Sequence, residues 1–189
     1  MDNTIFTIFD TETTGLDPKA GHKILEIAAI KIQQGKIIEG KVFDQLIDPK
    51  RDLPFDSAKV NGITVEMLAG KPTIDTVMPQ FMDFIDGTVL VAHNAEFDMG
   101  FLNEALFETN PFGYLPTAIC TKKLSRKLFP QEKFHSLDTV SYRLGITHDQ
   151  SARHRALADV ELLAKVFLKL VEIGKYTTLE EILAVAKEK

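Results

Sequence analysis

The 189-residue chain carries 22 Lys and Arg against 27 Asp and Glu, a formal charge of −5, and is 44% hydrophobic and 26% charged. This ordinary globular mixture predicts one packed domain and excludes a disordered or fibrous chain, as well as a protein that coats duplex nucleic acid by charge alone. No apolar run approaches the roughly 20 residues of a membrane span, and the N-terminus has neither the basic start nor the apolar centre of a secretory signal. Cys120, the single cysteine, excludes an internal disulfide and a cysteine-based zinc cluster. A cytoplasmic protein with no membrane partner is expected.

Residues 4–11 (TIFTIFDT) are rich in β-branched and aromatic side chains and apolar on both faces, as suits a strand in the middle of a sheet. Residues 23–33 and 36–47 are two further β-rich runs separated by Gln34 and Gly35, an antiparallel hairpin. Residues 48–57 contain two prolines and are expected to be loop; Val77, Phe81 and Phe84 or Ile85 then place a helix over 73–85. A short apolar strand over 88–92 meets a helix over 95–107 at His93 and Asn94. Residues 108–116 read as loop, 119–128 and 137–144 as short helices, and 155–171 as the longest helix. A last helix over 178–187 opens with Thr178 and Glu181 at capping-box spacing. Three β-runs followed by alternating strand and helix predict an α/β fold, a mixed sheet with helices packed on its faces.

Charge is spread unevenly, since residues 117–155 hold eight Lys and Arg against three Asp and Glu, or +5, which leaves −10 elsewhere. A basic segment in an acidic chain can guide an anionic substrate toward carboxylates that need metal, although a solvated helix surface has the same composition. Asp10 and Glu12 stand two apart on the first strand and so project from one face at its end. Repulsion and lost hydration there call for a cation, unless the strand simply ends in an exposed turn. Asp98 lies in line with Leu102 and Ala105, and Asp159 with Leu163, Val166 and Leu170, so both sit on apolar helix stripes. Each is also near a helix start, where backbone amides can satisfy a carboxylate.

If both helices pack on the face that carries Asp10 and Glu12, the four acids converge. An all-oxygen set suits Mg²⁺ or Mn²⁺ over zinc, and four carboxylates can hold two ions about 4 Å apart, which stabilises the attacking and leaving oxygens of phosphodiester hydrolysis. His154, five residues before Asp159 and ahead of the helix body, is the candidate general base, because histidine titrates near neutral pH.

FDTETTGL at 9–16, HNAEFD at 93–98 and HRALAD at 154–159 resemble, in order and spacing, the three motifs of the DEDDh 3′-to-5′ exonucleases, an RNase H-like superfamily. GHKILEIAAI at 21–30, VNGIT at 60–64 and FHSLDTVSYRLGI at 134–146 are similar to segments of the proofreading epsilon subunit of bacterial DNA polymerase III and of the exonuclease domain of the Gram-positive replicative polymerase. The resemblance implies an RNase H-like mixed sheet, Asp10, Glu12, Asp98 and Asp159 as ligands of two Mg²⁺ or Mn²⁺ ions, and His154 as the base. The sister class with tyrosine four residues before the last Asp is set aside, because Arg155 stands there. It further implies that the backbone of Thr13, Thr14, Gly15 and Leu16 holds the terminal nucleotide, with Leu16 wedged against its base and Phe97 as a stacking surface. Asn94 would organise the second motif. Asn61, where the group often has histidine or threonine, would contact the terminal phosphate or sugar.

Residues 1–173 are expected to form the exonuclease domain and 174–189 a C-terminal helical extension of it. The epsilon subunit reaches its polymerase through a C-terminal tail. Only 18 residues follow Val171, so that tether is expected to be shortened or missing, which favours a free-standing exonuclease or a piece of a longer chain. The expected activity is release of nucleoside 5′-monophosphates from the 3′ end of single-stranded or frayed DNA, as in proofreading, with a DNA polymerase catalytic subunit as the partner. An RNA 3′ exonuclease, RNase T-like or oligoribonuclease-like, uses the same motifs. An aspartyl-phosphate phosphatase would want DxD and a distant lysine. A noncatalytic nucleic-acid or polymerase-binding module would have lost ligands, and all five positions are intact.

Overall fold

Along β1 (Ile5–Thr13) successive side chains point to opposite faces, and both faces are apolar, with Phe6 and Ile8 buried on one side and Phe9 on the other. A strand of this kind has to be covered twice. In the computed structural model, which describes residues 3–147 and 155–187, it is central. β2 (Ile24–Gln33) pairs with it antiparallel, and β3 (Lys36–Leu46) pairs antiparallel with β2. Their link is Gln34 and Gly35 at φ 51° and 74°, the left-handed pair that lets two twisted strands meet without splaying. β4 (Val89–Ala92) and β5 (Ala118–Cys120) add in parallel on the other side, giving the order β3-β2-β1-β4-β5. The C-terminal ends of β1, β4 and β5 therefore lie along one edge, where open α/β sheets place their sites.

Helices cover both faces. Beside the end of β2, α1 (Phe55–Asn61) and α2 (Val65–Leu68) close a small cluster in which Ile63 and Leu68 pack on Leu25. α3 (Ile74–Ile85) and α4 (Ala95–Thr109) bury Phe81, Phe101 and Leu102 against Phe9, Ala29 and Leu90. On the opposite face α5 (Thr121–Leu128), α6 (Leu137–Arg143), α7 (Ala156–Gly174) and α8 (Leu179–Lys187) bury Leu124, Val140, Leu163 and Ile182 against Ile8, Ile30 and Val91. The mixed sheet with helices on its faces is the α/β architecture expected from the sequence.

Three details differ from the sequence reading. β1 runs on to Thr13, two residues past the run read at 4–11, and Asp10 and Glu12 stand on it as the sequence places them. The helix expected over 119–128 begins only at Thr121, because Ala118, Ile119 and Cys120 pair with Leu90, Val91 and Ala92. The loop expected over 48–57 gives way at Phe55 to α1. The capping box holds: Glu181 accepts from the amides of Thr177 and Thr178 at 2.7 and 3.1 Å, and Thr178 Oγ1 accepts from the Glu181 amide at 3.3 Å. Among the described residues no helix is long and apolar enough to cross a membrane.

Candidate active site

Asp10 and Glu12 project from β1 on the face that α7 covers, and Asp159 lies in the first turn of α7. Asp159 is buried together with Leu163, Val166 and Leu170, the stripe on which the sequence places it. One carboxylate oxygen each of Asp10, Glu12 and Asp159 lies within 4.8 Å of the others. Three carboxylates at that separation repel unless a cation shares them, and a donor set of carboxylate oxygens alone fits a hard divalent ion.

Asp98 is placed differently. The expectation that both acid-bearing helices pack on the face of Asp10 and Glu12 is corrected here: α7 does, whereas α4 packs on the other face, so Asp98 approaches β1 from the opposite side. The parallel pairing of β1 with β4 stops at Ile8 and Val91, which leaves the Thr11 amide without a strand partner on that edge. Asp98 Oδ1 fills the gap, accepting from the Thr11 amide at 3.1 Å and the Thr11 hydroxyl at 2.8 Å. Burial pushes the Asp98 carboxyl up to about 7, although the two Thr11 donors draw it down. It thus grips the residue between Asp10 and Glu12, and the set that faces one another within 4.8 Å is the other three.

The segment after β1 is shaped by a bulge: Glu12 pairs with Glu26 but Thr13 pairs with Ile24, so the chain turns as it leaves the sheet. Thr13 Oγ1 donates to the Gly15 carbonyl at 2.6 Å, and the Thr14 amide donates to the Lys23 carbonyl at 2.8 Å. A Cβ on Gly15 would come within 2.3 Å of the His22 ring, so only glycine lets this turn lie against it. Asn61, buried in α1, donates to the Thr13 carbonyl at 3.4 Å and accepts from the Ile63 amide at 3.0 Å, so it braces the turn from beneath. The result is a cleft of about 590 Å³ whose wall runs from Glu12 through Thr13, Thr14, Gly15 and Leu16 to Val60 and Phe97. Leu16 is 83% exposed at its rim, and the Phe97 ring rests 5.1 Å from that of Phe101.

Asn94 takes the left-handed conformation (φ 65°) at the start of α4, which asparagine tolerates better than most residues, and its Oδ1 accepts from Lys122 at 3.3 Å. Next to it, His93 Nε2 lies 2.9 Å from the His135 carbonyl, which can only accept, so this nitrogen carries the proton; Nδ1 faces the Thr121 hydroxyl at 2.9 Å. That ring ties the second motif to α5 and the turn before α6. His154 lies outside the described residues. The sequence reading left His22 unassigned, yet it lines the cleft with Nδ1 3.2 Å from Thr14 Oγ1. Its adjacency to the hairpin, eight residues from Thr14 with the glycine turn between, was the available signal.

An RNase H-like mixed sheet with carboxylates gathered where its central strand ends defines the class of the DEDD-type exonucleases, which use divalent metal ions. The family model described as Exonuclease matches residues 7–167, and the chain belongs to that family. It is 44% identical over 173 residues to a DNA polymerase III subunit epsilon-like protein of Rhodobacter capsulatus, an alignment that covers 90% of this chain but 24% of that protein. It is 40% identical over 167 residues to DNA polymerase III subunit epsilon of Rickettsia felis, covering 86% of this chain and 72% of that one. Among solved structures, Exonuclease X in complex with 5′ overhanging duplex DNA superposes with a TM-score of 0.77 at 28% identity, over 96% of this chain and 99% of that one. The chain is accordingly an exonuclease domain.

Proposed function

We propose that the chain is a two-metal 3′-to-5′ exonuclease that releases nucleoside 5′-monophosphates from single-stranded or frayed DNA 3′ ends. The observation that carries this reading is the convergence of Asp10, Glu12 and Asp159 within 4.8 Å beside a cleft lined by Leu16 and Phe97. In it Asp10, Glu12, Asp159 and Asp98, which is anchored to the residue between the first two, hold two divalent cations, Mg²⁺ or Mn²⁺. Bound there, such ions stabilise negative charge on the attacking and leaving oxygens of the scissile phosphodiester.

The chain's own residues supply the rest. The turn Thr13, Thr14, Gly15, Leu16 presents backbone to the terminal nucleotide, Leu16 wedges against its base and Phe97 offers a stacking face, which is sequence-tolerant because every base has a π-surface. Asn61 keeps the Thr13 carbonyl in place, and Asn94 starts α4 so that Asp98 meets Thr11. His154 accepts the proton of the attacking water.

DNA is favoured as substrate because the solved relative similar over nearly its whole length holds DNA, and a proofreading role beside a polymerase catalytic subunit is favoured by the names of the relatives. A cytoplasmic setting follows from that role. The experiment is digestion of matched DNA and RNA oligomers, labelled at the 5′ or the 3′ end, in Mn²⁺ with and without EDTA. A 5′-labelled DNA strand should shorten one nucleotide at a time, a 3′ label should leave at once as a mononucleotide, and EDTA should stop both. Faster loss of RNA would convert the reading to an RNA 3′ exonuclease; early mononucleotide from the 5′ label would overturn the polarity.

A further inference from the structure

Glu26 is a carboxylate that the proposed ion site does not use, although it stands beside it. On β2 it is paired directly with Glu12, so the two side chains share the face covered by α7, and Glu26 is 1% exposed. A buried negative charge there would add to the repulsion among Asp10, Glu12 and Asp159 unless something claimed it. Arg155 does, donating from Nη2 to Oε1 at 2.7 Å and from Nε to Oε2 at 3.4 Å, and the amide of Ala156, the first residue of α7, donates to Oε2 at 3.0 Å. One strand carboxylate thereby caps a helix 130 residues away in the chain. The next link is direct: the Asp159 amide donates to the Arg155 carbonyl at 3.1 Å, the bond that closes the first turn of α7.

We infer that Glu26 and Arg155 are positioning residues for the exonuclease reaction, an ion pair that fixes the first turn of α7 against β2 and so sets the Asp159 carboxylate at its distance from Asp10 and Glu12. The inference rests on the ion-site reading above. The fork geometry of the guanidinium matters, since a planar pair of donors fixes orientation where a single ammonium would not. Charge matters as well: hydrogen bonding to Glu26 first, then the fields of Glu26, Asp44 and Glu12, outweigh burial and hold Arg155 still more firmly in its charged form. The same pair keeps Glu26 from turning toward the ions as a competing ligand.

The test measures Mn²⁺ binding by the loss of its free EPR signal, with melting temperature and the kcat and KM for a DNA oligomer alongside, on the full chain and on R155Q, R155K, E26Q, E26Q/R155Q and D10A. Groups that orient metal ligands typically contribute 10–100-fold in metal affinity or activity. R155Q and E26Q should each weaken Mn²⁺ binding and lower kcat by about that factor while KM stays within about twofold, and R155K should fall between R155Q and wild type. In E26Q/R155Q no charge is left buried and unpaired, so the melting temperature should return toward wild type while Mn²⁺ binding and kcat stay low. Wild-type Mn²⁺ binding in R155Q, or recovery of both stability and Mn²⁺ binding in the double variant, would overturn the inference and leave the pair a stabilising contact only. D10A separates the two levels: if it binds Mn²⁺ like wild type, the ion-site reading itself fails, and if it loses Mn²⁺ while R155Q and E26Q keep it, only the clamp fails.

Discussion

On the side of β1 covered by α7, Asp10, Glu12 and Asp159 face one another within 4.8 Å, whereas on the side covered by α4 the carboxylate of Asp98 is 3% exposed and filled by the amide and hydroxyl of Thr11. The chain thus accommodates acids beside its central strand in two ways. Where carboxylates meet carboxylates, the energy is lowered by a shared divalent cation; where a carboxylate meets donors in an apolar wall, it is lowered by hydrogen bonds and by taking up a proton. The difference teaches that neighbouring acids can be placed in unequal ways: three crowd one another within 4.8 Å, and the fourth is tied by hydrogen bonds to the strand that carries two of them.

The largest test strikes the α7 side. Asp10→Ala and Asp159→Ala should each lose at least about 10³-fold in kcat, the equivalent of several kcal/mol of lost ion stabilisation, yet melt no lower than wild type in EDTA, since removing one crowded charge relieves repulsion. Wild-type turnover in Asp10→Ala would remove the three-acid site from the chemistry. His154→Ala should cost about 10²-fold or more in activity and flatten the acid limb of the pH–rate profile, and an unchanged profile would count against its role as base.

Asp98→Asn probes the other side of the strand through stability. The Asp98 carboxyl is raised from its ordinary value to about 7, so the folded protein holds a proton that the unfolded chain has released. Below the ordinary carboxylate range both states are protonated and this group adds no pH dependence; as pH climbs to about 7 the wild type loses up to a few kcal/mol, and above that the loss is complete. In EDTA, Asp98→Asn should therefore melt higher than wild type at pH 8, with the advantage shrinking by pH 5. An equal advantage at both values would mean that the proton on Asp98 is not its source. The mildest change is Leu16→Ala at the exposed rim, which should raise KM for a DNA oligomer by about tenfold, in keeping with about 1.5 kcal/mol for the apolar surface that leucine buries against a base, while leaving the melting temperature in place.

Much of this arrangement is legible in the chain itself. A β-branched and aromatic run apolar on both faces marks β1, Gln34 and Gly35 between two β-rich runs mark the hairpin, and offsets of four and seven from Asp98 and Asp159 mark the helix faces that are found buried. What escapes is what depends on neighbours. Ala118, Ile119 and Cys120 are too short a run to declare a strand and become one only beside β4, and the prolines at 49 and 54 suggest loop although the second one stands at the head of α1. Glu26 reads as one polar residue in an apolar strand, with nothing near it in sequence to name Arg155 as its partner.

Sequence alone thus determined the family motifs and the acids they carry. Acids placed on faces that should be apolar, in three separated motifs with a histidine ahead of the last, are what the proposed hard-cation hydrolysis needs, because charge in a core is tolerated only with a partner. The tertiary structure alone decided which acids face each other, which one turns to Thr11 and which is clamped by Arg155. Those outcomes follow from strand register and from the face on which each helix lands, and such distances are set by packing between segments far apart in the chain.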